Sequence, residues 1–578
     1  MIPLRSFRLI VLVLAAALLL PTCSTPQVPV DPGQLPGRTT FYLLWHGTPA
    51  GEIRMKNSLY ALWDDPEFSS ARASFLETAL SEGQKPNEKP TLSREEAAQY
   101  VTLLDNPFLI GYLRRPAPHA ATTSSAKEKT TWNGMFFIYD RTGKEELLSK
   151  AVVRLRGAET DIPKLTPLTV AGVSALKVER KSGTTYWAEF SKYAVSAQEQ
   201  AVFEEILNLL NGKAGSDSLS QTAAFQEAKP LLSGGIVEFF LSVASIREIA
   251  LESPDGSSSQ LKPFLTALKL DSIHSLAGHI SLEGAKTRVQ AAVLGDTSPG
   301  GLFDIWADGQ ANPASMTFLS SNTVYYNESQ FDLLGTYNTL KRVFQQAGGT
   351  STGAPNPIEA AAETRIGMPL PDALGLVTGE IASLQTSPTF EDSQKVYFLG
   401  IRKKADALKL TRTLMGDRIT SEHNEGNVTF LKISLSGGQS SAGLAQWNFY
   451  YLAMTPTLLL GSSKSETLHS YLGQPPAGPD ATPPKDFMTV RAQYPEKLNG
   501  FTYFDFRKVD WPALKAKWLA DAKKAAESAK TTDAAKKELQ FADWLTPVNP
   551  EVIPRHLHRL AGASWKDAKG VHFDQWVE

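Results

Sequence analysis

Cysteine is almost absent from this chain, since Cys23 is the single cysteine among 578 residues. A disulfide within the chain therefore cannot form, and a zinc site built from several cysteines is excluded. Net charge is also small, at −2 at pH 7. A chain without an excess of positive charge lacks the field that draws nucleic acid to a whole surface, so we expect no nucleic-acid partner.

Long apolar runs are missing after residue 20. A membrane-spanning helix needs about 20 predominantly apolar residues, so none is predicted in the body of the chain. The P-loop, the His-Glu-x-x-His motif and a Gly-x-Gly-x-x-Gly turn after a strand are missing too. These absences disfavour the common NTPases, zincins and dinucleotide enzymes, and we expect no cofactor.

The N-terminus has the layout of a secretory signal peptide. Arg5 and Arg8 form a positive region, residues 9–20 form an apolar region, and small and turn-forming residues follow. Cys23 stands where a bacterial lipoprotein carries its acylated cysteine, although the residues before it depart from the usual lipobox. Cys23 is therefore the candidate lipidation residue. A lipid-anchored protein and a soluble exported protein cleaved near Ser24 both stay open, and either predicts the periplasm or the outer membrane.

The end of the chain repeats a segment from its middle. Residues 557–562 read Leu-His-Arg-Leu-Ala-Gly, and residues 273–278 read Ile-His-Ser-Leu-Ala-Gly. A turn follows each, so each predicts a β-hairpin. Further matches keep the same order along the chain: 132–138 with 395–401, 172–178 with 426–433, 186–190 with 447–451, and Phe225 plus 235–240 with Phe487 plus 500–505. Collinear matches predict an internal duplication; two unrelated α+β domains with similar strands are the alternative.

We therefore predict an α+β fold of two related halves, each a mostly antiparallel sheet with packed helices. The second half is predicted to open with a strand at 315–326 and a helix at 331–345. A charged run without Gly or Pro, at 513–545, predicts a longer helical insertion there. The predicted boundaries are a signal peptide at 1–23, a Pro-rich spacer at 24–38, a first repeat at 39–300 and a second at 313–578.

One match to a nucleophile motif occurs at 349–353, which reads Gly-Thr-Ser-Thr-Gly. A nucleophile elbow requires a strand before the serine and a helix after it. Here a helix is predicted before Ser351 and prolines follow it, which favours a flexible loop. No catalytic role is predicted for Ser351.

Three histidines near the C-terminus are candidate metal ligands. His556 and His558 would share a face on a strand, and His572 follows on the next predicted strand. His558 matches His274 of the first half, where no flanking histidine occurs. A structural hydrogen bond near the hairpin explains this better, so no metal site is predicted.

Acidic and aromatic side chains offer further candidates. Asp64, Asp65 and Glu67 would suit acid–base chemistry, but Asp65 before Pro66 is better explained as a helix N-cap. The Lys-rich run at 523–537 would suit anionic lipid, but its acids nearly offset its lysines, which favours a solvated helix. Four tryptophans would suit a sugar-binding groove, although aromatic residues on strands usually pack in a core; they are Trp45, Trp63, Trp132 and Trp187.

Three short segments occur in a combination that can be compared with known families. They are 59–68 (Leu-Tyr-Ala-Leu-Trp-Asp-Asp-Pro-Glu-Phe), 186–190 (Tyr-Trp-Ala-Glu-Phe), and 218–228 with Ser-Leu before Phe-Gln-Glu-Ala. This combination resembles a family of large exported bacterial proteins of unknown function, over most of the chain after the signal peptide. The resemblance implies an envelope location and a duplicated α+β body. It implies no activity for any residue.

These observations favour an exported cell-envelope protein of unknown function that serves as a non-enzymatic binding or scaffold module. Two alternatives stay open: an envelope hydrolase acting on peptide or glycan, and a lipid or outer-membrane assembly factor. Whether the chain is an enzyme stays open, with the balance toward no enzyme. The expected partner is an unidentified envelope component, with a membrane tether through Cys23 if that residue is acylated.

Overall fold

The computed structural model describes most of the chain after the N-terminal segment. The described residues are 30–49, 51–69, 72, 99–114, 133–150, 164–180, 183–213, 217–251, 262, 265–266, 268–298, 301–347, 357–391, 394–434, 451–473, 483–527, 539, 542–543 and 545–578. They form two compact units. Among the described residues, the first unit holds 30–251 together with Ile273–Gly295, and the second holds Asp296–Glu578 with the short segment Leu270–Ser272.

The described residues of the first unit form ten strands, all paired antiparallel. They are β1 (Thr39–Trp45), β2 (Phe108–Leu113), β3 (Met135–Asp140), β4 (Lys164–Val170), β5 (Val173–Arg180), β6 (Gly183–Phe190), β7 (Tyr193–Ala197), β8 (Val237–Ser242), β9 (Ile273–Glu283) and β10 (Lys286–Gly295). Hydrogen-bonded neighbours give the order β4-β5-β6-β7-β3-β2-β1-β8-β9-β10.

In the second unit, the part of the chain that the structure describes also forms ten antiparallel strands. They are β11 (Tyr325–Gln330), β12 (Val377–Gln385), β13 (Lys395–Ile401), β14 (Ile419–Glu425), β15 (Val428–Ile433), β16 (Tyr451–Met454), β17 (Leu458–Ser462), β18 (Gly500–Asp505), β19 (Arg559–Asp567) and β20 (Gly570–Val577). Their order is β14-β15-β16-β17-β13-β12-β11-β18-β19-β20. Counted from the first strand of each unit, the two orders are the same.

Helices connect and cover these strands. In the first unit they are α1 (Gly51–Lys56), α2 (Ser58–Asp64), α3 (Gln200–Leu210), α4 (Ala223–Ala228) and α5 (Val243–Leu251). In the second they are α6 (Leu333–Ala347), α7 (Pro357–Ile366), α8 (Leu370–Gly375), α9 (Lys404–Met415), α10 (Ser465–Gly473), α11 (Lys485–Arg491), α12 (Trp511–Glu527) and α13 (Val552–His556). The predicted α+β class is confirmed. Within the described residues, no helix has both the length and the hydropathy that a membrane crossing requires.

Three aromatic side chains meet in the core of the first unit. Tyr42 on β1 and Phe240 on β8 are cross-strand partners with ring centroids 6.0 Å apart. Phe225 on α4 contacts both rings, at 6.4 and 5.5 Å. Burying large aromatic surfaces contributes strongly to stability, and tilted pairs add about 0.5–1.5 kcal/mol each beyond area burial. This triad therefore fastens α4 to the sheet.

The second unit repeats this arrangement at the same strand positions. Tyr326 on β11 pairs across the ladder with Tyr503 on β18, as Tyr42 does with Phe240. Phe487 on α11 lies 5.6 Å from the Tyr326 ring and 5.4 Å from the Tyr503 ring. In both units, therefore, a phenylalanine of a helix packs against two aromatic rings that are cross-strand partners in the sheet.

Strong local signals correctly predicted several elements. Both hairpins are present, because β9 ends at Glu283 and β10 begins at Lys286, and β19 ends at Asp567 and β20 begins at Gly570. The charged insertion begins as a helix, since α12 covers Trp511–Glu527.

The predicted strand at 315–326 is wrong. A 3-10 helix occupies Ala314–Phe318, and the strand starts only at Tyr325. The physical reason is a long-range cap: the Glu380 carboxylate accepts the backbone N–H groups of Ala314 and Ser315, at 3.1 and 2.8 Å. A cap supplied by a distant strand leaves no local sequence signal.

Two edge strands were not predicted at all. β14 reads Ile-Thr-Ser-Glu-His-Asn-Glu and is exposed along nearly its whole length, and β4 is exposed at five of seven positions and contains Pro167. Neither shows the alternation of apolar and polar residues that marks a half-buried strand. Pairing with β15 and β5 decides their conformation.

Candidate functional site

The inner face of β11 carries polar side chains where a core strand would carry apolar ones. Tyr326, Glu328 and Gln330 point inward because alternate residues share a face, and they are at most 2% exposed. Glu380 on β12 pairs with Gln330 and is 3% exposed. With Arg491 of α11, these residues form what we call the buried polar cluster.

Glu328 is the central acid of the buried polar cluster. The Tyr326 hydroxyl donates to Glu328 Oε2 at 2.6 Å, and Ser315 Oγ lies 2.9 Å from that hydroxyl. Burial raises the pKa of Glu328 from its ordinary 4.5 to about 7, against the lowering effects of Tyr326 and Arg491. A substantial fraction of Glu328 is therefore protonated near neutral pH.

Arg491 uses its charge on backbone carbonyl groups. Its Nη1 donates to the Pro495 carbonyl and its Nη2 to the Glu496 carbonyl, each at 2.9 Å. The guanidinium carbon lies 5.6 Å from the centre of the Phe501 ring, within cation–π range. Burial lowers the pKa of Arg491. These contacts hold the turn after α11 to the sheet, which is a structural role.

Several atoms of the buried polar cluster and its surroundings are under-satisfied. Among the described residues, no hydrogen-bond partner is found for Glu328 Oε1, Gln330 Nε2, Arg491 Nε or Asn499 Oδ1. A buried polar atom left unpaired costs about 1–3 kcal/mol. All four side chains are at most 6% exposed. A ligand therefore reaches them only if the surrounding structure moves.

A cavity of about 580 Å³ opens on the surface of the second unit, where β11 ends and β12 begins. Its wall includes Phe331 and Leu334, which are 38% and 37% exposed, and the charged residues Asp308, Asp332 and Arg402. The volume lies within the range of about 300–1,000 Å³ typical of small-ligand sites. We call it the second-unit cavity.

A glycine and a strand irregularity shape this cavity. β12 shifts register between Val377 and Ile381, as a bulge does. Gly379 lies inside the shift with φ at +93°, and a Cβ atom there would sit 2.1 Å from the Phe331 carbonyl oxygen. Only glycine fits this position, because both the backbone angle and the close approach exclude a side chain.

Arg402 is the charged side chain of the second-unit cavity whose charge can pair with a ligand. Asp332 Oδ1 accepts a backbone N–H of the first turn of α6, at 2.7 Å. Asp308 lies 3.6 Å from Lys566 Nζ. Arg402 donates from Nε to the Val377 carbonyl at 3.3 Å, and no carboxylate of the described residues lies within ion-pair distance of it.

The acidic candidates near residue 65 are engaged in local structure. Asp65 Oδ1 accepts the Glu67 backbone N–H at 2.8 Å, so Asp65 caps the 3-10 helix Pro66–Phe68, as predicted. Asp64 accepts from Arg54 Nε at 2.7 Å. These contacts give Asp64 and Asp65 structural roles.

The three candidate histidines do not converge. His556 ends helix α13, so His556 and His558 do not share a strand face. His572 pairs with Trp565, seven residues along the hairpin from His558, which is about 23 Å at 3.3 Å per residue. The His572 ring stacks on Trp565, and its Nε2 lies 3.1 Å from Asp567 Oδ1.

The described tryptophans among the sugar-site candidates pack inside the first unit. Trp45 and Trp63 are 4% and 5% exposed, and Trp45 Nε1 donates to the Leu104 carbonyl at 2.7 Å. Trp187 packs against the buried group around Tyr139. Other candidates lie outside the described residues: Cys23, Trp132, Ser351 and residues 528–537 of the Lys-rich run.

Sequence reasoning missed one group of metal-type ligands. His423 and Glu425 on β14 and His469 on α10 bring three ligand atoms within 4.8 Å of one another. The local signal was a single His-x-Glu in a polar stretch, and His469 follows 44 residues after Glu425. We call these residues the His423 corner.

The comparisons with known proteins add no further assignment. The chain matches no protein-family model, no curated protein and no solved structure.

Proposed function

We propose that this chain is an exported cell-envelope protein that acts as a non-enzymatic binding module made of two related halves. The second-unit cavity is the observation that carries the binding role. It combines half-exposed apolar side chains with one cationic group that has no anionic partner among the described residues. The ligand class that fits is a small molecule or chain end with an apolar body and one anionic group.

Relatedness of the halves is part of this proposal. The identical strand order of the two units supports it, and so do the aromatic triads at equivalent ladder positions. In each homologous sequence, the two halves can be aligned with each other by their strand positions. Residues paired in this alignment should be more similar than residues paired after the alignment is shifted. Equal similarity in shifted registers would count against a duplication.

The ligand class can be tested with 1-anilinonaphthalene-8-sulfonate, an apolar anion whose fluorescence rises when it is shielded from water. Arg402→Gln should weaken binding of the probe about two- to fivefold, since a charge pair at an exposed position contributes up to about 1 kcal/mol. Arg418→Gln, an exposed arginine of the same unit outside the cavity wall, is the matched control. Equal affinity in wild type and Arg402→Gln would refute the cavity assignment.

Export is tested by intact mass. The chain should be purified from the membranes and from the soluble envelope fraction of its own cells. A mature chain that starts at Cys23 and carries diacylglycerol and acyl groups would establish a lipid anchor. A shorter unmodified chain in the soluble fraction would support diffusible export, and an uncleaved chain in the cytoplasm would overturn the proposal.

The hydrolase alternative receives less support. Glu328 has the raised pKa that suits a general acid, but its side chain is 1% exposed. Hydrolysis of a peptide or glycan that disappears in Glu328→Gln, with the fold intact, would favour the hydrolase and count against a non-enzymatic role.

A further inference from the structure

The His423 corner brings together side chains of strand β14 and helix α10. β14 is an extended strand, so His423 and Glu425 project from the same face. His469 comes from α10, which is anchored by the fully buried Leu468 next to it. The three side chains remain 42–54% exposed, so a solvated ion can reach them.

The ligand atoms have the spacing that one small cation requires. Glu425 Oε1 lies 3.1 Å from His423 Nε2 and 3.2 Å from His469 Nε2. Bonds of about 2.0–2.1 Å in a tetrahedral site place ligand atoms about 3.3–3.4 Å apart. The two distances from the carboxylate oxygen to the imidazole nitrogens would therefore need to lengthen by only a few tenths of an ångström to fit around one ion.

The orientation of His469 is set from outside the group. Its Nδ1 lies 2.8 Å from the Ser465 carbonyl oxygen, which only accepts, so Nδ1 carries a hydrogen. Nε2 of the neutral ring then presents its lone pair toward Glu425 Oε1. Two acceptors face each other unless a cation or a proton lies between them. A carbonyl that fixes the far nitrogen is the usual outer support of a metal-binding histidine.

An aromatic ring supports both imidazoles. Phe430 on β15 is cross-strand partner to His423 and is 6% exposed. The His423 and Phe430 rings lie within 11° of parallel at 5.2 Å, and the His469 and Phe430 rings within 2° at 4.4 Å. This packing limits ring rotation, so part of the entropy lost on binding an ion is already lost in the fold.

We propose that the His423 corner binds one Zn²⁺ ion through His423, Glu425 and His469. Two imidazole nitrogens and one carboxylate oxygen suit zinc, whereas Mg²⁺ and Ca²⁺ prefer oxygen ligands alone. Three protein ligands leave a fourth position that faces solvent. A water molecule would complete the tetrahedral coordination there. This site lies apart from the wall of the second-unit cavity and does not depend on the binding role proposed there.

The test is a titration of the metal-stripped full chain with ZnCl₂ by isothermal calorimetry at pH 7.5. The wild type should bind one equivalent. His423→Gln and His469→Gln should each weaken binding by at least about tenfold, since even the loss of an outer support costs about 10–100-fold. His558→Gln, an exposed histidine of the same unit outside the group, should bind as the wild type does.

Co²⁺ absorption provides a readout that is independent of heat. A tetrahedral site with nitrogen ligands should give visible bands in the wild type that are lost in His469→Gln. Near-ultraviolet circular dichroism checks that each variant remains folded. Equal Zn²⁺ affinity in wild type and both histidine variants, or no binding by the wild type, would overturn the proposal and leave an imidazolium–carboxylate pair.

Discussion

The two units use the same framework but place their polar groups differently. At one ladder position of the central strand pair, the first unit has Leu44 opposite Glu238, and the second has Glu328 opposite Phe501. The buried carboxyl group therefore lies on β8 in the first unit and on β11 in the second. Glu238 contacts His46 Nε2 at 3.0 Å. The position of the carboxyl group therefore differs between the units, whereas the aromatic triad beside it is present in both.

The corner at the edge of each sheet differs in the same way. Strand register makes Leu168 and Val170 of β4 the counterparts of His423 and Glu425, because Val170 and Glu425 both pair with the first residue of the next strand. Leu168 and Val170 pack on the apolar core of the first unit. A framework position that is apolar in one unit thus carries metal-type ligands in the other, which the fold itself does not require.

The largest expected effect comes from removing the shared aromatic anchor. Phe487→Ala and Phe225→Ala should each destabilise their own unit by about 3–5 kcal/mol, because a large buried ring leaves a cavity. Hydrogen exchange followed by mass spectrometry in increasing urea measures this for each unit. Loss of protection confined to the second unit is expected for Phe487→Ala, and to the first unit for Phe225→Ala. A small effect of either variant would show that the triads are not equivalent.

The next effect concerns Glu328 and pH. Its folded pKa of about 7 lies above its ordinary 4.5, so its contribution to stability is fully present below pH 4.5 and is lost as the pH rises through 7. The shift corresponds to a change on the order of 3 kcal/mol. Glu328→Gln has no carboxyl group to ionise at this position. The free energy of unfolding of the variant minus that of the wild type should therefore be larger at pH 8 than at pH 4.5. Urea unfolding at both pH values, followed through exchange of the β11 amide groups, measures this difference.

The matching substitution Glu328→Leu sharpens the comparison, since it installs the residue of the first unit. It should remove the same pH dependence. A variant that retained the wild-type pH profile would show that another group titrates there. Glu238→Gln in the first unit serves as the control for a carboxyl group with a histidine neighbour.

A smaller effect is expected at the start of α2. Asn57 is fully buried, and its Oδ1 accepts the Leu59 and Tyr60 N–H groups at 3.1 and 3.2 Å. Its Nδ2 donates to Thr287 Oγ1 at 2.9 Å. Asn57→Ala should therefore cost about 2 kcal/mol through loss of the cap and of this bond. Exchange of the α2 amides measures it.

Asn57→Ser keeps an acceptor at the cap and should lose less stability than Asn57→Ala. Equal losses in both variants would assign the effect to Thr287 rather than to the helix start.

The smallest effect on stability is expected at the His423 corner. The double substitution His423→Leu and Glu425→Val gives this strand the residues of the first unit. The positions are exposed, so the free energy of unfolding without metal should change by no more than about 0.5 kcal/mol. Thermal unfolding without ZnCl₂ measures the effect of the substitutions on stability, and unfolding with ZnCl₂ measures stabilisation by the metal. Only the wild type should be stabilised by the metal. A large loss without metal would indicate a structural role for the pair.

Sequence alone determined the elements whose signals are local. The hairpin turns at Glu283–Lys286 and Asp567–Gly570 and the Asp65 cap follow from turn residues and capping chemistry within a few positions. The α+β class follows from the same patterns. Each of these features depends on residues that are close together in the chain, so it can be predicted from the sequence.

Only the tertiary structure decided the features built from distant residues. Glu380 caps a helix 65 residues earlier, and His469 joins Glu425 across 44 residues of chain. Glu328 lies on a strand that the local pattern did not place, and its pKa is raised chiefly by burial. Burial and convergence depend on which strands pair. Which strands pair depends on the whole chain, so it cannot be predicted from the composition or residue spacing near one position.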